Sequence, residues 1–198
     1  MKAQNTSWMF EVDKVHLYAY HKKVFSKEEC EKIIKIGKGP DLVDGTVTRN
    51  LVKDEKIRDS KISWIYPSQD KTWIFKKLTD SLNFLNKTYF KFDIYGLVEG
   101  LQFTNYKAPN GKYGKHVDKT SPDCASVIRK MSLSVQLSDP KDYKGGNLIL
   151  HTSEKKTIMS KEQGMLILFP SYTLHEVKKI TKGERNSLVG WITGEPFK

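Results

Sequence analysis

Residues 131–169, MSLSVQLSDPKDYKGGNLILHTSEKKTIMSKEQGMLILF, decide the fold. They divide into four short β-type runs, 131–137, 147–151, 156–159 and 165–169. Between the runs stand Asp139-Pro140, Lys144-Gly145-Gly146 and Glu162-Gln163-Gly164, residue types that set turn geometry and interrupt a strand. Further runs of the same kind lie on either side, at 97–106, 174–178 and 187–193, punctuated by Pro109-Asn110-Gly111, Pro170-Ser171 and Lys182-Gly183. Strands at this spacing predict a sandwich or barrel. The absence of βαβ alternation argues against a doubly wound sheet, and no glycine-rich phosphate loop follows any strand.

Helical periodicity is confined to the first half. Ser26 and Glu29 form a capping box with Phe25 and Cys30 as its staple, and Cys30, Ile33, Ile34 and Gly37 follow at helical spacing until Gly39-Pro40. In 70–89, Ile74, Leu78, Leu82, Leu85 and Tyr89 fall on one helical face. Between these helices, 41–60 is polar and poorly periodic and reads as a long loop or weak hairpin around Val47, Leu51 and Val52, of the kind that forms lids. Together these readings predict an α+β chain: a double-stranded β-helix (jelly roll) core over 93–198, with 1–92 as helical support and lid. Both parts belong to one domain, as 198 residues with 38% hydrophobic content suggest.

Charge is the most conspicuous bulk property, with 34 Lys and Arg against 23 Asp and Glu for a net +11. Only Arg49, Arg58, Arg129 and Arg185 are arginines, whereas base edges are read chiefly by the bidentate guanidinium, and the lysines are scattered. The composition therefore argues against a dedicated nucleic-acid partner. Cys30 and Cys124 make neither a disulfide framework nor a thiolate metal site. The first 13 residues lack an apolar signal region and no run is long enough for a membrane span, so a cytoplasmic protein, not secreted, is expected. The sequons at Asn5 and Asn86 then read as chance matches.

The chemistry sits on few residues. His116-Val117-Asp118 places an imidazole and a carboxylate two positions apart, on one face if the segment is a strand. A second histidine would complete a two-His, one-carboxylate face of the kind that holds non-haem Fe(II) with open positions. His175 is the stronger candidate and His151 the competitor; His16 and His21 read as surface or structural residues. Ten positions after His175 comes Arg185, with Ser187 on the same side of a strand, a pair suited to gripping a carboxylate.

These residues lie in four ordered segments: 106–118 (YKAPNGKYGKHVD), 133–150 (LSVQLSDPKDYKGGNLIL), 164–177 (GMLILFPSYTLHEV) and 181–191 (TKGERNSLVGW). Together they resemble the 2-oxoglutarate and Fe(II)-dependent oxygenases of the prolyl-hydroxylase superfamily, most of all the bacterial and phage PKHD-type hydroxylases. The resemblance implies that His116, Asp118 and His175 ligate the metal. It further implies that Arg185 and Ser187 hold the distal carboxylate of 2-oxoglutarate, and that Tyr106 and Trp191 line the cosubstrate pocket. The implied activity is hydroxylation of an unactivated C–H, a prolyl residue of a peptide or protein first. Fe(II), 2-oxoglutarate and O2 would be consumed or used, ascorbate serving as reductant, with succinate and CO2 as coproducts. Oxidation of a nucleic-acid base or small molecule, and a silent jelly-roll binding module, are the alternatives. The oligomeric state is not legible in the sequence.

Overall fold

The computed structural model describes residues 16–46, 54–118, 128–152 and 155–196. Asn5, Arg49, Val47, Leu51, Val52, Cys124 and most of 119–130 lie outside the described residues. Fourteen strands occur in the described chain: β1 Ala19–His21, β2 Val43–Asp44, β3 Arg58–Asp59, β4 Lys61–Ile65, β5 Ile94–Gly96, β6 Leu101–Lys107, β7 Lys112–His116, β8 Arg129–Gln136, β9 Tyr143–Gly145, β10 Leu148–Thr152, β11 Lys155–Ile158, β12 Leu166–Pro170, β13 Leu174–Val177 and β14 Ile180–Gly194. Two helices, α1 Lys27–Gly37 and α2 Thr72–Leu85, precede most of them. All strand pairs are antiparallel, in a larger sheet ordered β1-β12-β8-β14-β6-β4-β2 and a smaller one ordered β11-β10-β13-β7-β3. The alternation of sheet partners along the chain is that of a jelly roll.

Strand period 2 separates two environments on the larger sheet. In β8, Met131, Leu133 and Val135 face the helices, where they share a buried core with Cys30 and Ile33 of α1 and Ile74, Leu78, Leu82 and Leu85 of α2. The intervening Ser132, Ser134 and Gln136 turn the other way, into the space between the sheets, and are buried too. That interior is capped at one end by a second cluster that includes Tyr106, Tyr143, Leu150, Ile167, Phe169 and Ile180. Buried hydroxyls and amides on one face of a core strand need partners, and their concentration there marks the inside of the sandwich as the polar site.

The capping box at α1 is present in both halves: Glu29 N–H donates to Ser26 Oγ (3.2 Å) and Ser26 N–H to Glu29 Oε2 (2.8 Å). The helix ends at Gly37 against β6, where an added Cβ would stand 2.1 Å from Phe103 Cγ. Ala is favoured over Gly in a helix by ~1 kcal/mol, but overpacking a core costs ~1–3 kcal/mol. Gly37→Ala should therefore lower stability by about 1–2 kcal/mol in urea unfolding; a gain would show that Phe103 swings aside freely.

The structure departs from the sequence reading at three places. The segment 41–60 contributes the short strands β2 and β3 at the edges of the two sheets, one on each. β7 forms where the chain had read as loop, because Tyr113 pairs with both Arg58 and Val177. β14 begins seven residues before 187, since its first residues pair with β9 before the strand enters the larger sheet. No helix of the described residues is long and apolar enough to cross a membrane.

Candidate metal centre

β7 and β13 are neighbours in the smaller sheet with His116 directly opposite His175, and both imidazoles project between the sheets. Asp118 lies two residues past the end of β7, not on the strand as expected. Its position is set by its own N–H, which donates to Ser171 O (3.0 Å) in the turn after β12. The carboxylate thereby reaches across the sandwich: Oδ1 is 3.7 Å from His116 Nε2, and Oδ2 is 3.5 Å from His175 Nε2. One ligand atom from each residue falls within 4.8 Å of the others, a separation one ion can bridge.

Neighbouring groups orient all three. His116 Nδ1 lies 2.8 Å from Gly114 O and His175 Nδ1 2.9 Å from Thr173 O; each Nδ1 must donate there, so each Nε2 lone pair faces the centre. Ser132 Oγ–H donates to Asp118 Oδ2 (2.7 Å). Burial alone would raise the Asp118 pKa, but His175, His116 and the Ser132 hydroxyl hold it below the usual carboxylate range. Burial, followed by the charge of His175, depresses His116 from 6.5 to about 4. A neutral His116 beside an ionised carboxylate suits a divalent metal.

The sign of the pH dependence follows. Between pH 6.5 and about 4 the unfolded chain takes up a proton at His116 that the folded, metal-free protein refuses, so stability falls as the solution is acidified. The melting temperature of metal-free protein should drop through that window, and His116→Gln should flatten the drop. An unchanged slope in the variant would assign the acid sensitivity to another group.

Farther into the same sandwich, Arg185 and Ser187 sit on β14 facing inward, both 1% exposed. Arg185 donates to Gln136 Oε1 (3.0 Å) and Ser187 Oγ (3.4 Å), and no carboxylate among the described residues pairs with it. Arg185 Nε, Gln136 Nε2 and Tyr143 Oη are buried there without hydrogen-bond partners. The first two are donors only, and the phenol is kept protonated because burial raises its pKa. Unneutralised buried charge surrounded by idle donors is costly unless an anion with several acceptor sites joins it, and a carboxylate fits. Tyr106 is opposite Arg185 in the β6–β14 ladder, its ring under the guanidinium at 5.4 Å. Trp191 lines the cavity of about 320 Å³ that joins Arg185 to the histidines, and Arg129 stacks on its indole at 3.9 Å.

Thus the six residues His116, Asp118, His175, Arg185, Tyr106 and Trp191 line one cavity with Ser187. His151 does not join them: Leu150 is the residue opposite His175, so His151 points to the other face and contacts Glu176 (3.1 Å). His16 and His21 contact Tyr89 and Ser81 instead. Sequence reading overlooked Tyr113, stacked on His116 at 3.6 Å, and Arg58, whose guanidinium covers Tyr113 at 4.5 Å. It also overlooked Gln136 and Tyr143. The only signal available for these was the polar alternation of 132–136 and the rarity of arginine.

Comparison with known proteins bears on this arrangement. The family model described as the 2OG-Fe(II) oxygenase superfamily matches residues 101–193, the segment that supplies the three metal-facing residues, Arg185 and Ser187. That match spans just under half of the chain. The chain is 36% identical over 95 residues to a PKHD-type hydroxylase of Prochlorococcus marinus, covering 48% of this chain and 42% of the relative. A PKHD-type hydroxylase of Parvibaculum lavamentivorans is 40% identical over 80 residues, 40% of this chain and 36% of the relative. The chain thus spans less than half the length of these curated relatives. In fold, the chain is similar to a Pseudomonas putida prolyl-4-hydroxylase (TM-score 0.68, 21% identity, 91% of this chain and 94% of that one). It is also similar to a Trichoplax adhaerens prolyl hydroxylase in complex with a hypoxia inducible factor peptide fragment (0.72, 20%, 90% and 84%). A viral collagen prolyl hydroxylase of Paramecium Bursaria Chlorella virus-1, in a 2OG complex, resembles it to the same degree (0.68, 22%, 91% and 97%).

Proposed function

We propose that this chain is an Fe(II)- and 2-oxoglutarate-dependent oxygenase whose acceptor is an unactivated C–H, with a prolyl residue of a peptide or protein the best supported, and that 1–92 and 93–198 act as one domain. The observation that carries the proposal is the pairing, in one cavity, of a two-His, one-carboxylate face with a buried guanidinium that has no acidic partner among the described residues. A silent binding module would have no reason to hold both. When bound, the metal and its 2-oxo acid supply the oxidation, in which one oxygen of O2 enters the C–H as hydroxyl while the other enters succinate and CO2 departs.

The chain's residues supply the rest. His116 Nε2, His175 Nε2 and an Asp118 oxygen would hold Fe(II). Arg185 and Ser187 hold the distal carboxylate of 2-oxoglutarate, with Gln136 and Tyr143 as further donors. Tyr106 and Trp191 wall the cavity, which keeps water away from the reacting groups. Ascorbate as reductant for the iron belongs to the same proposal.

Anaerobic titration with Fe(II) and 2-oxoglutarate should show both binding together. Admission of O2 in the presence of a panel of proline-containing peptides should then yield succinate and a peptide heavier by one oxygen. Absence of Fe(II)-dependent succinate overturns the oxygenase reading. Succinate without any oxygenated proline peptide overturns the prolyl acceptor alone.

A further inference from the structure

Three arginines reach the cavity, and their electrostatic surroundings differ. Arg129 makes a two-pronged pair with Glu99 and is neutralised. Arg185 faces the part of the cavity assigned above to the cosubstrate carboxylate. Arg58 has neither. It is 6% exposed, and its contacts are the neutral Ser60 Oγ (2.8 Å), Thr46 O (3.2 Å) and Gln102 Oε1 (2.9 Å). No carboxylate pairs with it among the described residues, and 47–53, which follow Thr46, contain no acidic side chain. A guanidinium this deeply buried is costly unless a counter-charge approaches it.

Its place relative to the metal-facing residues makes the charge useful. Arg58 covers one face of the Tyr113 ring, and the other ring in that stack is His116, at 3.6 Å with 17° between planes. The guanidinium is thus two ring thicknesses from a metal-facing imidazole, a gap that a few C–C bonds span. Arg58 is also fixed in direction, since three of its five N–H groups are bonded to Ser60, Thr46 and Gln102, and it lines the cavity. With Fe(II) and 2-oxoglutarate dianion in place, the metal and cosubstrate charges cancel, as do Arg185 and Asp118. Among the described lining residues, one positive charge is left over, at Arg58.

We propose that the acceptor is anionic: it carries a carboxylate that pairs with Arg58 a few bonds from the carbon that is oxidised. This rests on the oxygenase reading and adds the substrate class to it. The carboxylate could belong to an acidic side chain beside the acceptor residue or to a free or C-terminal carboxyl, and the test separates these sources.

The probes are two matched pairs: N-acetyl-Ala-Pro-Glu-amide against its Gln counterpart, and N-acetyl-Ala-Pro against its carboxamide. Each is titrated calorimetrically into protein saturated with Mn(II) and N-oxalylglycine, an unreactive analogue of 2-oxoglutarate. At least one acid should bind tighter than its neutral partner by on the order of 30-fold or more. The preference should survive high salt, because a buried pair is poorly screened, whereas general attraction to a +11 surface would fade. Arg58→Gln should reduce the preference to near unity, and Arg58→Lys should restore part of it; circular dichroism and melting establish that both fold. Equal affinity within both pairs, a preference lost in high salt, one that persists in Arg58→Gln, or no binding by either acid each overturns the proposal. Failure of the underlying oxygenase reading shows separately, as absence of N-oxalylglycine binding to Mn(II)-loaded wild-type protein.

Discussion

Asp118→Ala should leave a folded protein that no longer retains Fe(II) and forms no succinate above background. Among the described residues Asp118 is the sole anion of the centre, and it faces both Nε2 atoms at 3.7 and 3.5 Å. Its removal leaves two imidazoles, which hold a divalent ion weakly without a third ligand. Metal affinity should fall by about two orders of magnitude or more, a larger loss than the ~10–100-fold seen for groups that only orient ligands. The fold should survive, because the main-chain bond from residue 118 to Ser171 O does not need the side chain, and the variant no longer desolvates a carboxylate. Metal analysis after gel filtration, melting of the metal-free variant and a succinate assay together check this. Fe(II)-dependent succinate in Asp118→Ala would remove the residue from the centre.

Arg185→Gln should weaken 2-oxoglutarate binding to metal-loaded protein by on the order of 100-fold or more, since breaking a buried charge pair costs ~3–5 kcal/mol. The guanidinium is 1% exposed and has no acidic partner of its own among the described residues, so no internal salt bridge is lost with it. Gln136, Tyr143 and Ser187 remain to hold a carboxylate by neutral hydrogen bonds, which are about half as strong. Arg185→Lys should fall between, because an ammonium keeps the charge but lacks the planar fork. Calorimetric titration of 2-oxoglutarate into Mn(II)-loaded protein distinguishes the three. Affinity in Arg185→Gln within threefold of wild type would make Arg185 a packing residue and shift the cosubstrate site elsewhere.

The two predictions differ in how far they could be drawn before the structure. The strands around residue 131–169, the capping box at Ser26 and the amphipathic face of α2 are local signals, carried by turn residues and by apolar spacing within one element. They were legible because each element's preference agrees with the fold it enters. His116, Asp118, His175, Arg185, Ser187, Tyr106 and Trp191 were legible as candidates for a related reason: short spacings along the chain and a family resemblance named them. Gln136, Tyr143, Tyr113 and Arg58 were not, since nothing in a lone Gln, Tyr or Arg says what it will face.

By itself, then, the sequence determined which segments extend, which coil and where the chain turns, because those depend on neighbours within a few residues. It also named His175 ahead of His151 as the partner of His116. Tertiary structure showed how far apart those two histidines stand in orientation: a side chain's face in a strand reverses with every residue, and the β10–β13 register sets Leu150, not His151, opposite His175. It alone brought Arg58 onto Tyr113, 55 residues away, through the pairing of two sheet-edge strands. And it alone carried Asp118 off its strand and across the sandwich, because one backbone bond to Ser171 outweighs the local tendency of the chain to continue straight.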